Sequence, residues 1–267
     1  YRRDMVWQFA GQGSLREGVG RELYRVDPGF TGAVIECDAV LGTGLGVTMS
    51  ETLYAVDMAV HKETGSLDKG GGLLLQTKYS QPMLVALEYC IAKSWLARGL
   101  KPSMVLGHSL GEYAAAVVAD VMSIADCLGL VIERARLVEE DARCQGVMVS
   151  LRATVSEVEV ILSGLSVEDG GQVSIACVNG PQSVVISGSE TVVNSVKGSM
   201  EGVPSWQLDV RHAFHSPLMV GVLEAYRVAL SVVRLHRPQI RFMSTVRGRV
   251  VDEEVTHADY WLDHIVC

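Results

Sequence analysis

A serine stands between two glycines in VLGHSLGEYAAAV, residues 105–117, where an apolar run gives way to a helix-forming one. Gly107-His108-Ser109-Leu110-Gly111 has the Gly-x-Ser-x-Gly form of a nucleophile elbow. Such a turn is so tight that side chains at its flanks would collide with the strand or the helix. It presents the Ser109 hydroxyl at a helix N-terminus, where free N–H groups and the helix dipole favour an anion. The Leu110 amide is then placed to donate to a tetrahedral oxyanion, and one such donor is worth roughly 3–4 kcal/mol. A serine nucleophile needs a base. Of seven histidines, His61 and His257 lie in polar, loop-like sequence, and His236 and His264 read as surface or packing residues. His108 sits inside the elbow and would point away from Ser109. His212 and His215, in RHAFHSPLM, remain as the candidate bases.

The elements that must position these groups follow from pattern. MVWQFA (5–10) reads as a buried strand and GQGS (11–14) as a tight turn after it. Residues 17–60 read as mostly helical, and GSLDKGGG (65–72) as a flexible loop. Residues 80–99 predict a strong helix capped by Ser80, with Pro82 in its first turn and Gly99 ending it. MVLGHS is the second strand, and the helix after Ser109 runs to about Asp120. Residues 123–143 form another helix with a Ser123 cap. The pattern then changes to strand 146–151, helix 154–165, strands 172–179 and 183–188, helix 190–200 and strand 205–210. That βαββαβ order fits a small split-βαβ, ferredoxin-like unit. Helix returns at 216–233, followed by extended chain. The fold class is therefore α/β, with an α/β-hydrolase-like large subdomain at 1–144 and 211–267 and a small ferredoxin-like subdomain at 145–210. The segment bearing His212 and His215 lies where the chain re-enters the large subdomain.

The 267 residues suffice for one large domain or a large domain with a small insertion. Net charge is −8, and an acidic chain argues against nucleic acid as the main partner. The six cysteines show no CxxC and no His/Cys spacing suited to zinc, which predicts reduced, mostly buried thiols in a cytoplasmic setting and no metal. No stretch is apolar and long enough to span a bilayer, so no membrane partner is predicted. Both ends begin close to folded structure, as expected for a domain excised from a longer polypeptide.

FAGQGS (9–14), GHSLGEYAAAVVA (107–119), ERARL (133–137), VNGPQSVVISG (178–188), HAFHSPLM (212–219) and YWLDHI (260–265) occur in this order. Together they resemble the acyltransferase domains of polyketide synthases, with the malonyl-CoA:acyl-carrier-protein transacylases of fatty acid synthesis as more distant relatives. The resemblance covers nearly the whole chain. It implies that Ser109 becomes acylated, that His215 is the general base and that His212 is structural. It implies a second oxyanion donor in the Gln12 backbone N–H, beside that of Leu110. Arg134 matches the arginine that pairs with the free carboxylate of malonyl, and a planar, always-charged guanidinium suits that task. Gln81 and Asn179 match positions that line the family's pocket. His-Ala-Phe-His at 212–215 and Leu110 after the serine resemble the malonyl-selecting form, in which Phe214 would crowd an α-methyl branch; one methyl is worth only about 1–3 kcal/mol.

No bound cofactor or metal is implied. Malonyl-CoA is the substrate, and the partners are the phosphopantetheine arm of an acyl carrier protein and neighbouring domains of a larger synthase, on the ketosynthase side. Relatives carry a further strand and helix after Tyr-Trp-x-x-His that help orient the histidine; this sequence ends at Cys267, as a fragment of a larger enzyme would. Two other readings stay open. One is a serine hydrolase or thioesterase, which wants an acidic third member such as Asp141, Asp169 or Asp209. The other is a catalytically silent scaffold domain of a synthase.

Overall fold

Along the chain, a computed structural model describes residues 4–54 and 71–267. The elements are β1 (Val6–Phe9), α1 (Arg21–Val26), α2 (Pro28–Leu45), α3 (Gly71–Leu74), α4 (Thr77–Ala97), β2 (Met104–Gly107), α5 (Gly111–Val118), α6 (Ile124–Glu140), β3 (Val147–Leu151), α7 (Val155–Ser163), α8 (Val167–Gly170), β4 (Val173–Gly180), β5 (Ser183–Gly188), α9 (Glu190–Ser199), β6 (Ser205–Gln207), α10 (Leu223–Ser231), β7 (Arg241–Ser244), β8 (Arg249–Val251) and α11 (Ala258–Val266). The chain divides into two compact units, residues 1–136 with 229–258, and 137–228 with 259–267.

The first unit holds a four-stranded sheet in the order β1-β2-β7-β8. β1, β2 and β7 run parallel and β8 closes antiparallel. β1, expected to be a buried strand, is instead an edge strand of which Phe9 alone is buried and Val6 is 51% exposed, while the more central β2 alternates half-buried and buried residues. Phe30, Leu41, Met83, Val105, Tyr113 and Phe242 are among the unit's buried side chains. α4 begins at Thr77 after Gln76, three residues before the expected Ser80 cap, and carries Pro82 in its interior. A helical proline forfeits one i→i−4 hydrogen bond. The unbroken burial of Ser80 through Cys90 outweighs that loss. Gly99 ends the helix in the left-handed region, at φ 79°, as a C-terminal glycine should. Ser123 caps α6, its Oγ accepting from the Asp126 N–H at 3.0 Å. The loop expected at 65–72 lies outside the described residues up to 70, and Gly71–Leu74 is helical.

The second unit is built on a separate sheet, β4-β5-β3-β6, antiparallel throughout. With α7 after β3 and α9 after β5, this is the βαββαβ arrangement expected for a ferredoxin-like unit. Val149, Leu151, Val158, Val184, Ile186, Val193 and Val196 form its core. Thr154 starts α7 with a capping box, its side chain on the Glu157 N–H and the Glu157 carboxylate on the Thr154 N–H. The compact unit is wider than 145–210. The Ala213 N–H donates to the Cys144 carbonyl at 2.9 Å and Gln145 bridges His212, which draws in the segments flanking the sheet. The helix expected at 216–233 is a 3-10 turn over Pro217–Val222 followed by α10. The stretch beyond 233, expected to be extended, yields β7, β8 and α11. Among the described residues no helix is long and apolar enough to cross a membrane.

Candidate active site

Ser109 stands just past the C-terminal end of β2, two residues after the β1 ladder ends with Phe9 opposite Gly107. Its φ is +50°, a left-handed conformation that costs a residue with a Cβ on the order of 1–2 kcal/mol. The flanking glycines make the turn possible. A Cβ on Gly107 would meet the Glu112 N and the Gly111 carbonyl carbon at 2.1 Å. One on Gly111 would meet the Phe9 O at 2.6 Å and the Ala10 O at 2.7 Å. Both clashes are with backbone, so no rotamer relieves them. The elbow is tied to its neighbour strand by Glu112, fully buried, whose Oε1 accepts from the Thr245 N–H and hydroxyl at 2.5 and 2.8 Å.

The Ala10–Gly13 turn lies against this elbow. The His108 N–H donates to the Phe9 carbonyl at 2.9 Å. A Cβ on Gly11 would come within 2.7 Å of His108 Nδ1, so the ring of His108 is packed on the turn, as its place in the elbow suggests. Among the described residues, neither the Gln12 nor the Leu110 backbone N–H makes a backbone hydrogen bond.

Arg134, on α6, is 1% exposed although it carries a permanent charge. Its Nη1 donates to Gln81 Oε1 at 2.5 Å, and Gln81 Nε2 donates to Gln12 Oε1 at 3.1 Å. Gln81 is itself 1% exposed. Three residues singled out by resemblance, 12, 81 and 134, thus form one hydrogen-bonded chain that ends in the turn beside Ser109. An interior this dry strengthens any charge placed in it.

The second unit carries the remaining candidates. His215 is buried and has φ +57°. Among the described residues, only it, Ser109 and Asp120 are non-glycines with positive φ. The Ser174 hydroxyl donates to the His215 carbonyl at 2.6 Å and pins that backbone. His264, read from sequence as surface or packing, is 1% exposed and stacks edge-on against the His215 ring at 6.1 Å between centroids. Its place in Tyr-Trp-Leu-Asp-His is a signal from which sequence reading could have singled it out. Phe214 is buried, with its ring 5.7 Å from that of His212. Burial pulls the His212 pKa down, with Arg211 adding to the effect and Glu139 opposing it. Asn179, by contrast, is exposed at the end of β4, with its Oδ1 3.6 Å from Cys177 Sγ.

Of the acids a hydrolase would recruit, Asp141 is held by Arg143 at 2.6 Å, Asp169 accepts at 2.8 Å from the hydroxyl of Ser166, the N-cap of α8, and Asp209 is exposed. His61 lies outside the described residues. All six cysteines are free thiols, and four of them are buried. Among the described residues no cluster of His, Cys, Asp and Glu is arranged to hold a metal ion. Sequence reading missed Glu88, a carboxylate inside the apolar run MLVALEYCIA. Its Oε1 accepts from the Ala10 N–H at 2.5 Å.

A parallel sheet whose second strand runs into a Gly-x-Ser-x-Gly elbow, accompanied by a βαββαβ unit, is the two-part mixed α/β architecture of acyltransferases. The chain belongs to the acyl transferase domain family, whose sequence profile matches residues 6–266. It is 39% identical over 259 residues to polyketide synthase GfsA of Streptomyces halstedii, covering 96% of this chain and 3% of that protein. It is 36% identical over 263 residues to the spectinabilin polyketide synthase system protein NorB of Streptomyces orinoci, covering 97% of this chain and 12% of that one. The chain thus spans a small part of the synthases it matches. Among solved structures, the acyltransferase domain from the second module of the salinomycin polyketide synthase aligns with a TM-score of 0.84 at 35% identity, over 99% of this chain and 58% of that one. A transacylase (MCAT) from Streptococcus pneumoniae aligns with a TM-score of 0.82 at 25% identity, over 98% and 81%. Family membership makes the chain an acyltransferase of the polyketide-synthase kind.

Proposed function

We propose that this acyltransferase moves a malonyl group from coenzyme A, through an ester on Ser109, to the phosphopantetheine thiol of an acyl carrier protein. The observation that carries the choice of acyl group is the buried Arg134. A cation this deep, connected through Gln81 to the turn beside the serine, fits a substrate with a free carboxylate.

In this reading His215 takes the proton from Ser109 Oγ as the oxygen attacks the thioester carbon. The tetrahedral oxyanion accepts from the Leu110 and Gln12 backbone N–H groups. Collapse breaks the carbon–sulfur bond, and coenzyme A leaves with the proton from His215. The carrier thiol then gives its proton to His215 and attacks the ester, and Ser109 recovers the proton as the malonyl thioester departs. No metal or bound cofactor takes part. Phe214 and Leu110 favour malonyl over its α-methyl homologue, and the neighbouring domains of a longer synthase supply the carrier and the context. Relatives that are polyketide synthases support this setting.

Intact-protein mass spectrometry after incubation with malonyl-, methylmalonyl- and acetyl-CoA in competition tests it. The expected result is a malonyl adduct on wild type, absent from S109A and H215A. A chain that forms no adduct, or forms it equally in S109A, overturns the proposal. Free malonate accumulating faster than carrier loading would show a hydrolase instead.

A further inference from the structure

β1 is an edge strand, and its ladder with β2 ends at Phe9. The Ala10 N–H therefore lies past the last strand pairing, at the point where the chain turns toward Gln12. A buried side chain meets it: Glu88 of α4, 8% exposed, whose Oε1 accepts that N–H at 2.5 Å. Gln81 precedes Glu88 by seven residues, two helical turns, so both project from one face of α4. Gln81 holds the Gln12 side chain at 3.1 Å and Glu88 holds the Ala10 backbone. The turn is thus pinned at two points on its α4 side, while Gly11 is packed against His108 on the other.

A carboxyl is an expensive group to place here. Its Oε2 is buried and, among the described residues, makes no hydrogen bond. Burial pushes its pKa up to about 8, with the Ala10 N–H opposing. An apolar side chain would fill the space at less cost. What the carboxyl supplies that an apolar group lacks is one directional acceptor at Ala10.

We propose that Glu88 is a positioning residue, whose hydrogen bond to Ala10 sets the Ala10–Gly11–Gln12 turn so that the Gln12 N–H faces the acyl oxygen at Ser109. This rests on the reading of Ser109 as the acylated nucleophile. Glu88 touches no reacting atom; it acts through the backbone of residues 10–12.

Single-turnover acylation by malonyl-CoA, followed by intact mass, tests the proposal in the full chain. E88L removes the acceptor, and E88M does the same should E88L fail to accumulate. The expected result is an acylation rate lowered about tenfold at saturating malonyl-CoA, with full amplitude and half-saturation within about twofold of wild type. E88Q keeps an acceptor oxygen and should recover most of the rate. A merely structural role would reduce the amplitude, through a smaller folded fraction, and leave the rate alone; that result overturns the proposal, as does an unchanged rate in E88L or E88M, or an E88Q as slow as E88L. Wild type is measured first, beside S109A. A wild type without a Ser109 adduct sinks the transfer reading itself, whereas a wild-type adduct with an indifferent Glu88 sinks only the positioning role.

Discussion

Replacing Gly111 with alanine tests whether the close approach of β1 and α5 sets the rate at Ser109. The added Cβ would lie 2.6 Å from the Phe9 O, 2.7 Å from the Ala10 O and 2.7 Å from the Phe9 carbonyl carbon. Real Cβ atoms essentially never approach closer than 3.0 Å, so the two backbones must part by about 0.4 Å. That gap opens between the strand end that leads to Gln12 and the helix start beside Leu110, which separates the two proposed oxyanion donors. Since a 1 Å misplacement can cost on the order of 10²-fold, 0.4 Å should slow acylation about five- to tenfold, roughly 1–1.4 kcal/mol of barrier. Overpacking should also cost about 1–3 kcal/mol of stability.

Gly44→Ala separates these effects. Its Cβ would lie 2.8 Å from Ile132 Cδ1, the far end of a flexible side chain on α6, away from the elbow. Rapid-quench acylation and thermal melts on both variants are the assay. G44A should lose at most a little stability and keep the wild-type rate. A G111A protein that acylates within twofold of wild type would refute the proposed geometry, and a G44A protein slowed as much as G111A would show the loss to be global.

Removing the Arg134 guanidinium in R134A should lower kcat/KM for malonyl-CoA by about 10²-fold or more, since two charge-assisted hydrogen bonds of about 1.5–3 kcal/mol each are lost. Acetyl-CoA should change by less than about threefold, and an equal fall for both would deny Arg134 its carboxylate. The Glu88 carboxyl, raised from 4.5 to about 8, keeps its proton in the folded chain over a window where the unfolded chain has lost it. Stability should therefore fall as pH rises from about 4.5 through 8, by a few kcal/mol, and melts of E88Q should be flatter across that window. Asp27 behaves oppositely: hydrogen bonds from Ser94 and Arg98 hold its pKa down to about 2, so its contribution is present above pH 4 and lost as pH falls toward 2, which acid titration of wild type against D27N measures. Thr154→Ala breaks the α7 capping box and should cost about 1 kcal/mol, read as a drop in the melting temperature of a few degrees.

The chain's local chemistry was legible by itself. Two glycines around Ser109 announce a turn that only Gly tolerates, because steric exclusion within five residues needs no distant partner. The βαββαβ order after residue 145 was readable for the same reason: period-two and period-3.6 patterns record which face of each element is buried, and Thr154 with Glu157 announces its own cap. Six motifs in order then named the family. What tertiary structure decided was everything set by groups far apart in sequence. α4 runs through Pro82 because burial on all sides outweighs one lost hydrogen bond. β7 and β8 are four and three residues long, too short to show a period, and exist because β2 offers an edge to β7 and β7 offers one to β8. A histidine at 264 looked inert until α11 placed its ring on that of His215. A glutamate at 88 passed unremarked inside an apolar run, and the N–H it holds comes from the end of β1, 78 residues earlier. Sequence records which surface a residue turns inward; the group it meets there depends on how the chain closes in space.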